Sequence, residues 1–199
     1  MNQRTVLFDL GNVLVRFRPQ TFAERLGLAG LSGSSRYAEP VRDLVRAYET
    51  GLLDTSRFMA ELGRVFNGRF SDDQLREALH SVLDIPIPGM DELVGRVSQH
   101  ASIGLVSNTN ELHFEQVRKV IPALRHFSTF FLSYQLKAVK PDPAYYNAVL
   151  QLLPTPPGQI AFVDDLPENI AGAEKVGMRG MLFTDARTLE RDLKLFIDF

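Results

Sequence analysis

Five short apolar runs, each bounded by turn-forming residues, restrict this chain to a small set of folds. The runs are TVLFDL (5–10), SIGLVSN (102–108), STFFLS (128–133), IAFVDD (160–165) and RGMLFTD (179–185). Most are continuously apolar rather than alternating, which is typical of strands in a parallel sheet that helices cover on both faces. Helical patterns separate the later runs, and strand alternating with helix predicts a doubly wound α/β domain with a Rossmann-like sheet.

Capping residues indicate where the helices between these runs begin and end. Asn110 precedes the segment ELHFEQVRKVI, and Asp142 precedes Pro143 at the start of PAYYNAVLQLL. Both are favoured residues for the position just before a helix, and proline is favoured in the first turn. The segment PENIAGAEKVG stops at Gly177, and the segment LERDLKLFIDF follows the fifth run. We therefore predict a helix after each run from the second onward.

The interval between the first and second runs is several times longer than a usual strand–helix connection. It contains no good strand, but three amphipathic patterns, VRDLVRAYETG, TSRFMAELGRVF and SDDQLREALHSVL. The last begins with a capping box formed by Ser71 and Gln74. GLSGSS (30–35) is predicted to be a mobile loop, and IPIPGM (85–90) is predicted to return the chain to the sheet.

These patterns predict a division of the chain into a core and an inserted helical cap. We assign residues 1–15 and 87–199 to the core, and residues 16–86 to a helical cap inserted after the first strand. The cap is expected to lie above the carboxyl end of that strand, since the chain leaves the sheet there.

Composition excludes several classes of partner. The formal net charge of −2 gives no general field for binding nucleic acid or an anionic membrane. No apolar run approaches the about 18 residues that span a bilayer, and Asp9 interrupts the N-terminal apolar run too early for a signal peptide. The absence of cysteine excludes disulfides and thiolate metal sites. We expect a cytoplasmic protein, either a monomer or a homodimer, without nucleic-acid or membrane partners.

Polar residues gather at the predicted carboxyl ends of the strands, the edge where open parallel sheets bind ligands. These residues are Asp9, Ser107, Asn108, Lys140, Asp164 and Asp165. Mg²⁺ prefers oxygen ligands, so Asp9 and Asp165 could hold it if the first and fourth strands are neighbours. Ser107 and Lys140 could then hold phosphoryl oxygens while Asp9 attacks phosphorus. The pattern indicates a Mg²⁺ cofactor and a small phosphorylated substrate.

The same residues fall in motifs that resemble those of the haloacid dehalogenase (HAD) superfamily. FDLGNVL, VSNTN, KPDPAYY and FVDDLPENI resemble its four motifs in order, and the predicted insertion lies where that family places a helical cap. The resemblance covers nearly the whole chain. It is nearest to a bacterial branch that acts on sugar phosphates, typified by glucose-1-phosphate phosphatase.

The resemblance implies a role for each motif residue. Asp9 is expected to be the nucleophile and a metal ligand, with the Gly11 carbonyl and Asp165 as further ligands and Asp164 acting from behind them or through water. Four further residues are expected to bind the phosphoryl group of the substrate: Ser107, Asn108, Asn12 and Lys140. Lys140 is expected to bridge that phosphoryl group to Asp9. In such proteins the bond before Pro141 can be cis.

One carboxyl group of the family pattern is missing from this sequence. The family usually places a second aspartate two residues after the nucleophile, where it protonates the leaving oxygen and then activates water. Here that position is Gly11, followed by Asn12. Such assistance is commonly worth about 10²–10⁴-fold. The expected consequence is a slow or selective phosphatase that favours leaving groups needing little protonation.

Other readings of these residues remain open. A catalytically silent module could keep phosphate affinity and use the cap as an interaction surface. A dehalogenase shares the fold, but the paired acids of FVDD argue against it, and Gly11 argues against a phosphomutase. Taken singly, Asp9 could end a turn, Ser107 and Asn108 could start a helix, and Lys140 could be a solvated loop residue.

Some residues near the motifs lack an assigned role. Arg16 and Arg18 follow the first motif; either could be solvated, or one could contact an anionic part of the substrate. Asn169 could brace the turn after the fourth motif. The four histidines show no metal-binding spacing, and we assign them no chemistry.

Overall fold

A five-stranded parallel sheet forms the centre of the protein, in a computed structural model that describes residues 4–28 and 35–199. Positions 30–34 of the predicted loop at 30–35 lie outside the described residues. The strand order is β3-β2-β1-β4-β5, and every neighbouring pair is parallel. The strands are β1 (Thr5–Phe8), β2 (Ser102–Ser107), β3 (Phe130–Leu132), β4 (Ile160–Asp164) and β5 (Arg179–Leu182). This confirms the predicted doubly wound α/β class and makes β1 and β4 neighbours.

The strands are shorter than the apolar runs that predicted them. β1 ends at Phe8, although the Asp9 N–H still donates to the Val163 carbonyl at 2.9 Å. β3 retains only the middle of its predicted run. The polar residues at the ends of the runs therefore lie at the last ladder position, as Ser107 and Asp164 do, or just beyond it, as Asp9, Asn108 and Asp165 do.

Helices cover both faces of the sheet. The helices of the core are α5 (Met90–Val97), α6 (Glu111–Val120), α7 (Ser133–Leu136), α8 (Pro143–Leu152), α9 (Pro167–Lys175) and α10 (Ala186–Lys194). Val6 and Phe8 of β1 pack into a cluster with α5, α6 and α10, while Leu7 packs on the other face with Tyr145 and Tyr146 of α8. This alternation is the period of two expected of a strand buried on both sides.

A separate hydrophobic cluster lies in the segment between β1 and β2. Its helices are α1 (Gln20–Arg25), α2 (Ser35–Glu49), α3 (Thr55–Val65) and α4 (Asp72–His80). Tyr48 and Phe58 stack at its centre with ring centroids 4.4 Å apart. The predicted capping box of Ser71 and Gln74 is present at the start of α4.

One helix extends beyond the sequence pattern that predicts it. The amphipathic pattern VRDLVRAYETG begins at Val41, whereas α2 begins at Ser35 and continues through Pro40. Proline normally ends or kinks a helix because it lacks an N–H group. Here the apolar face of α2 packs against α3, and this packing outweighs the local preference.

Two chain segments run side by side where the predicted cap joins the core. The Arg16 N–H donates to the Ile85 carbonyl at 2.8 Å, and the Arg18 N–H donates to the Val82 carbonyl at 2.9 Å. Val15 also pairs with Pro86. The proposed boundaries at 16 and 86 fall within these paired segments. Among the described residues, no helix has both the length and the apolar character needed to cross a bilayer.

Two helical glycines differ in what surrounds them, and this predicts opposite effects of the same substitution. A Cβ on Gly172 in α9 would lie 2.7–2.9 Å from the Tyr146 ring, whose hydroxyl donates to the Asn169 carbonyl at 2.8 Å. We expect Gly172→Ala to lower the free energy of unfolding by about 1–3 kcal/mol through overpacking. A Cβ on Gly63 in α3 would have no atom within 4 Å apart from the backbone of its own helix. Gly63→Ala should raise the free energy of unfolding by up to about 1 kcal/mol. Urea unfolding of both variants checks this, and stabilisation by Gly172→Ala would contradict it.

Candidate active site

A buried lysine joins two aspartates at the carboxyl edge of the sheet. The Lys140 Nζ lies 2.6 Å from Asp9 Oδ1 and 2.6 Å from Asp164 Oδ2. The three side chains are at most a tenth exposed. Asp9 follows β1 and Asp164 ends β4, so the lysine bridges the ends of two neighbouring strands. Ion pairs this short and this buried hold both carboxylates in fixed positions.

The backbone of Lys140 is held by a side chain that directly follows β2. The Asn108 Oδ1 accepts a hydrogen bond from the Lys140 N–H at 2.8 Å, and the Asn108 amide donates to the Lys140 carbonyl at 2.9 Å. The Lys140–Pro141 bond is cis, as the resemblance allows, and Asp142 caps α8 immediately afterwards. Asn108 therefore orients the lysine that contacts Asp9, and its predicted contact with substrate stays a prediction.

The two adjacent acids after β4 have different surroundings. Asp164 is fully buried, and its Oδ1 accepts hydrogen bonds from the Leu166 N–H at 3.0 Å and from Asn169 at 2.9 Å. Asn169 thus braces Asp164 at the start of the turn after the fourth motif. Asp165 is partly exposed, and burial raises its pKa while the hydrogen bond from Asn12 lowers it.

Asn12 connects the loop after β1 to the loop after β4. Its amide donates to Asp165 Oδ2 at 2.9 Å, and its Oδ1 accepts from the Phe17 N–H at 3.0 Å. Its backbone is left-handed at φ 55°, which asparagine tolerates better than most residues. In this structure Asn12 positions Asp165, and the predicted substrate contact stays a prediction.

The three aspartates form a donor set that suits a hard divalent cation. Asp9, Asp164 and Asp165 each place one carboxylate oxygen within 4.8 Å of the others. The ammonium of Lys140 balances only one of these charges, and burial raises the pKa of Asp9 to about 7 even though Lys140 lowers it. Burial opposes the charge of Lys140, yet Asp9 and Asp164 together raise its pKa. A cluster with excess negative charge and oxygen donors fits Mg²⁺.

The remaining predicted residues lie around this cluster. Ser107 ends β2 and is buried, and its hydroxyl makes no hydrogen bond within the described ranges 4–28 and 35–199. A Cβ on Gly11 would lie 4.0 Å from Asp9 Oδ2, so Gly11 directly adjoins the nucleophile candidate. The phosphoryl-binding role of Ser107 and the metal-ligand role of the Gly11 carbonyl stay predictions.

The two arginines after the first motif have different surroundings. Arg18 forms an ion pair with Asp84, which joins the two segments that connect the proposed cap and core. Arg16 is exposed. The prediction that one of them contacts an anionic group of the substrate is untested, and Arg16 has the more accessible side chain.

Sequence reasoning missed several residues close to the site. Phe17 lies over Gly11, with its Cβ 3.7 Å from the position of a Cβ on that glycine. Ser133 accepts a hydrogen bond from the Thr109 N–H at 2.9 Å and donates to the Glu49 carbonyl at 2.7 Å, so it fastens the end of α2 to the loop after β2. No local pattern marks either residue: Phe17 acts through the fold of the loop after β1, and Ser133 through contacts 24 and 84 residues away.

A solved structure of known family has a similar fold. A HAD family enzyme of Bacteroides thetaiotaomicron, in complex with magnesium and inorganic phosphate, superposes with a TM-score of 0.79 at 25% sequence identity. The superposition covers 92% of this chain and 95% of that chain.

Two proteins of named activity are similar in sequence. Flavin mononucleotide hydrolase 1 of Arabidopsis thaliana is 30% identical over 150 residues, which are 73% of this chain and 59% of that protein. The chain thus spans less than two thirds of the length of that relative. D-ribitol-5-phosphate phosphatase of Bacteroides thetaiotaomicron is 24% identical over 186 residues, 87% of this chain and 88% of that protein.

The sequence model of one family covers most of the chain. The model described as haloacid dehalogenase-like hydrolase matches residues 3–177, a range that includes all four motifs and the inserted helices. This protein therefore belongs to the haloacid dehalogenase-like hydrolases.

Proposed function

We propose that this hydrolase is a Mg²⁺-dependent phosphatase that cleaves small phosphate monoesters through an aspartyl-phosphate intermediate. The observation that carries the proposal is the placement of Asp9 beside Asp164 and Asp165, with Lys140 in contact with the first two. Such an arrangement supplies a nucleophile, oxygen ligands for a hard cation and an ammonium for phosphoryl oxygens. The magnesium- and phosphate-bound relative and the two named phosphatase-type relatives support the same reaction class.

The residues of this chain divide the reaction between them. Asp9, Asp165 and the Gly11 carbonyl would hold Mg²⁺, which would offset the charge on the phosphoryl oxygens. Ser107 and Lys140 bind and orient the phosphoryl group. The free oxygen of Asp9 attacks phosphorus, the bond between phosphorus and the ester oxygen breaks, and the leaving oxygen takes a proton from water. A second water then cleaves the aspartyl phosphate to release inorganic phosphate and regenerate Asp9.

The nature of the leaving group matters because position 11 carries no acid. Without a carboxyl at Gly11, the leaving oxygen departs less readily as its basicity increases. The likeness to phosphatases of the glucose-1-phosphate type fits this account, because an anomeric oxygen is a comparatively good leaving group. That likeness, the cytoplasmic location and the monomeric or homodimeric state remain proposals from the sequence.

The first test removes the nucleophile. We expect Asp9→Asn to lower Mg²⁺-dependent phosphate release from acetyl phosphate by at least ~10³-fold, because the amide cannot form the covalent intermediate. Asp185→Asn is a matched control, since Asp185 is an exposed cap of α10 and asparagine caps equally well. Phosphate release with Mg²⁺ or with EDTA is the measurement. A wild-type protein that binds phosphate without turnover would favour the silent module.

Restoring the missing acid should increase the rate. A Cβ on Gly11 would make only ordinary van der Waals contacts, at 3.7 Å with Phe17 and 4.0 Å with Asp9. The Cβ of an aspartate therefore fits at this position. We expect Gly11→Asp to raise kcat/KM, which reports formation of the aspartyl phosphate, by at least ~10-fold for ribitol 5-phosphate, with little change for acetyl phosphate, whose leaving group needs no proton. Gly158→Asp adds the same charge in open space and should change neither. An unchanged ratio of the two rates in folded Gly11→Asp would refute this account of position 11.

Removing the amide that holds Asp165 should weaken metal binding. Asn12→Gly keeps the left-handed backbone but removes the hydrogen bond to Asp165. We expect the Mg²⁺ concentration at half-maximal activity to rise ~10–100-fold, because a ligand that loses its outer partner is less well oriented. Asn67→Gly changes another left-handed asparagine, exposed after α3, and should leave the Mg²⁺ dependence as it is. Equal Mg²⁺ titrations for both variants would show that Asn12 does not position Asp165.

A further inference from the structure

A large apolar cavity lies among the helices of the proposed cap and beside the core. Its volume is about 580 Å³, within the range of small-molecule sites. The walls come from α1, α2, α4, α6 and the segment that precedes α1. Most of the lining is hydrophobic, including Phe22, Leu28, Val41, Val45 and Phe66. None of the three site aspartates lines it, so the cavity is distinct from the carboxylate cluster.

Phe17 places this cavity next to the reacting carboxylate. It lines the cavity, and its Cβ lies 3.7 Å from where a Cβ on Gly11 would stand. The same Gly11 position is 4.0 Å from Asp9 Oδ2. One half-exposed side chain therefore separates the cavity from the nucleophile, and the Phe17 backbone is tied to the site through Asn12. A phosphate ester bound at Asp9 would therefore have this cavity beside it, beyond Phe17.

The polar groups of the cavity are few. Tyr37, Arg42, Glu49 and His113 are the polar residues in its lining. Burial lowers the pKa of His113 to about 4, so the ring is neutral at pH 7. Its Nδ1 faces the Asn110 amide nitrogen at 3.1 Å, because the Asn110 oxygen accepts from the His113 N–H at 3.0 Å. Nδ1 must then accept, and the ring hydrogen is on Nε2.

The neutral His113 ring thus adds no charge to a wall that is largely apolar. Its Nε2 has no partner of hydrogen-bond geometry in the described part of the chain, although the Leu79 carbonyl is close enough to raise the pKa of the ring. A polyol that left water for this cavity would leave most of its hydroxyl groups without hydrogen-bond partners, which is an energetic cost to its binding. A largely apolar group would not incur that cost.

We propose, resting on the phosphatase function above, that the preferred substrate is the phosphate monoester of a bulky, largely apolar alcohol. The phosphoryl group binds at Asp9 and Lys140, and the aromatic or isoprenoid part of the alcohol fills the cavity beyond Phe17. Burial of the apolar group supplies affinity through the hydrophobic effect. The substrate is thereby selected by its leaving group rather than by hydroxyl recognition.

The test compares esters of equal chemical reactivity. 2-(1-Naphthyl)ethyl phosphate, citronellyl phosphate and ribitol 5-phosphate are all primary alkyl esters, so they differ in the group that would enter the cavity. Each ester is used as a competitive inhibitor of acetyl phosphate cleavage, because acetyl phosphate is too small to occupy the cavity. The inhibition constant then reports binding of the ester whether or not the ester is hydrolysed. We expect at least one apolar ester to bind at least ~10-fold more tightly than ribitol 5-phosphate. The naphthyl and citronellyl arms distinguish an aromatic from an isoprenoid occupant.

A pair of tryptophan variants localises the effect. Ala38 is exposed and lines the cavity, whereas Ala60 is exposed on α3 and does not line it. Ala38→Trp should reduce the preference for the apolar esters by at least ~10-fold, and Ala60→Trp should preserve it. The inference is overturned if acetyl phosphate is cleaved but ribitol 5-phosphate binds as well as both apolar esters, or if Ala38→Trp keeps the preference. Absence of acetyl phosphate cleavage would instead overturn the phosphatase function, and this inference with it.

Discussion

The contact of one buried ammonium with two carboxylates governs the arrangement of this site. Removing three charged groups from water is costly, and breaking such a pair by deleting one partner typically costs about 3–5 kcal/mol. Lys140 therefore holds Asp9 and Asp164 together, and through them the ends of β1 and β4. Asn108, which directly follows β2, holds the Lys140 backbone, so the ends of β1, β2 and β4 are joined at one point. The negative charge left over is what makes the site suitable for a cation.

The sheet and the positions of the acids could be predicted from the sequence because both depend on short-range patterns. Apolar runs identify strands, and parallel strands bring their carboxyl ends to one edge, so Asp9, Lys140 and Asp164 were expected near one another. The direction of each side chain could not be predicted in the same way. Asn12 and Asn108 face Asp165 and the Lys140 backbone, partners 153 and 32 residues away, and such contacts exist only after the strands are assembled. The start of α2 before Pro40 has the same origin, since packing within the cluster of the inserted helices outweighs the preference of one residue.

Glycine at position 11 changes how such a site can select its substrate. With an acid at that position, protonation of the leaving oxygen lowers the barrier for any alcohol that fits. Without it, the rate depends more on how the leaving group is bound and on its own basicity. The space beside Gly11 is bounded by Phe17, which also bounds the apolar cavity. The loss of the acid and the apolar character of the neighbouring wall therefore favour selection by binding of the leaving group.

That selection requires the inserted helices to keep a fixed orientation relative to the core. Polar contacts on two sides of these helices maintain that orientation. Thr55 at the start of α3 contacts both Tyr48 and Glu111, and Glu111 begins α6, the helix that carries His113. The carbonyls of Glu49 and Gly51 accept hydrogen bonds from Ser133 and Lys137, at 2.7 Å and 2.5 Å. Several modest interactions spread over separate elements fix an orientation better than one strong interaction, because rotation about any single contact is opposed by the others. Together with the two paired segments that connect the inserted helices to the core, these contacts keep the cavity beside Asp9.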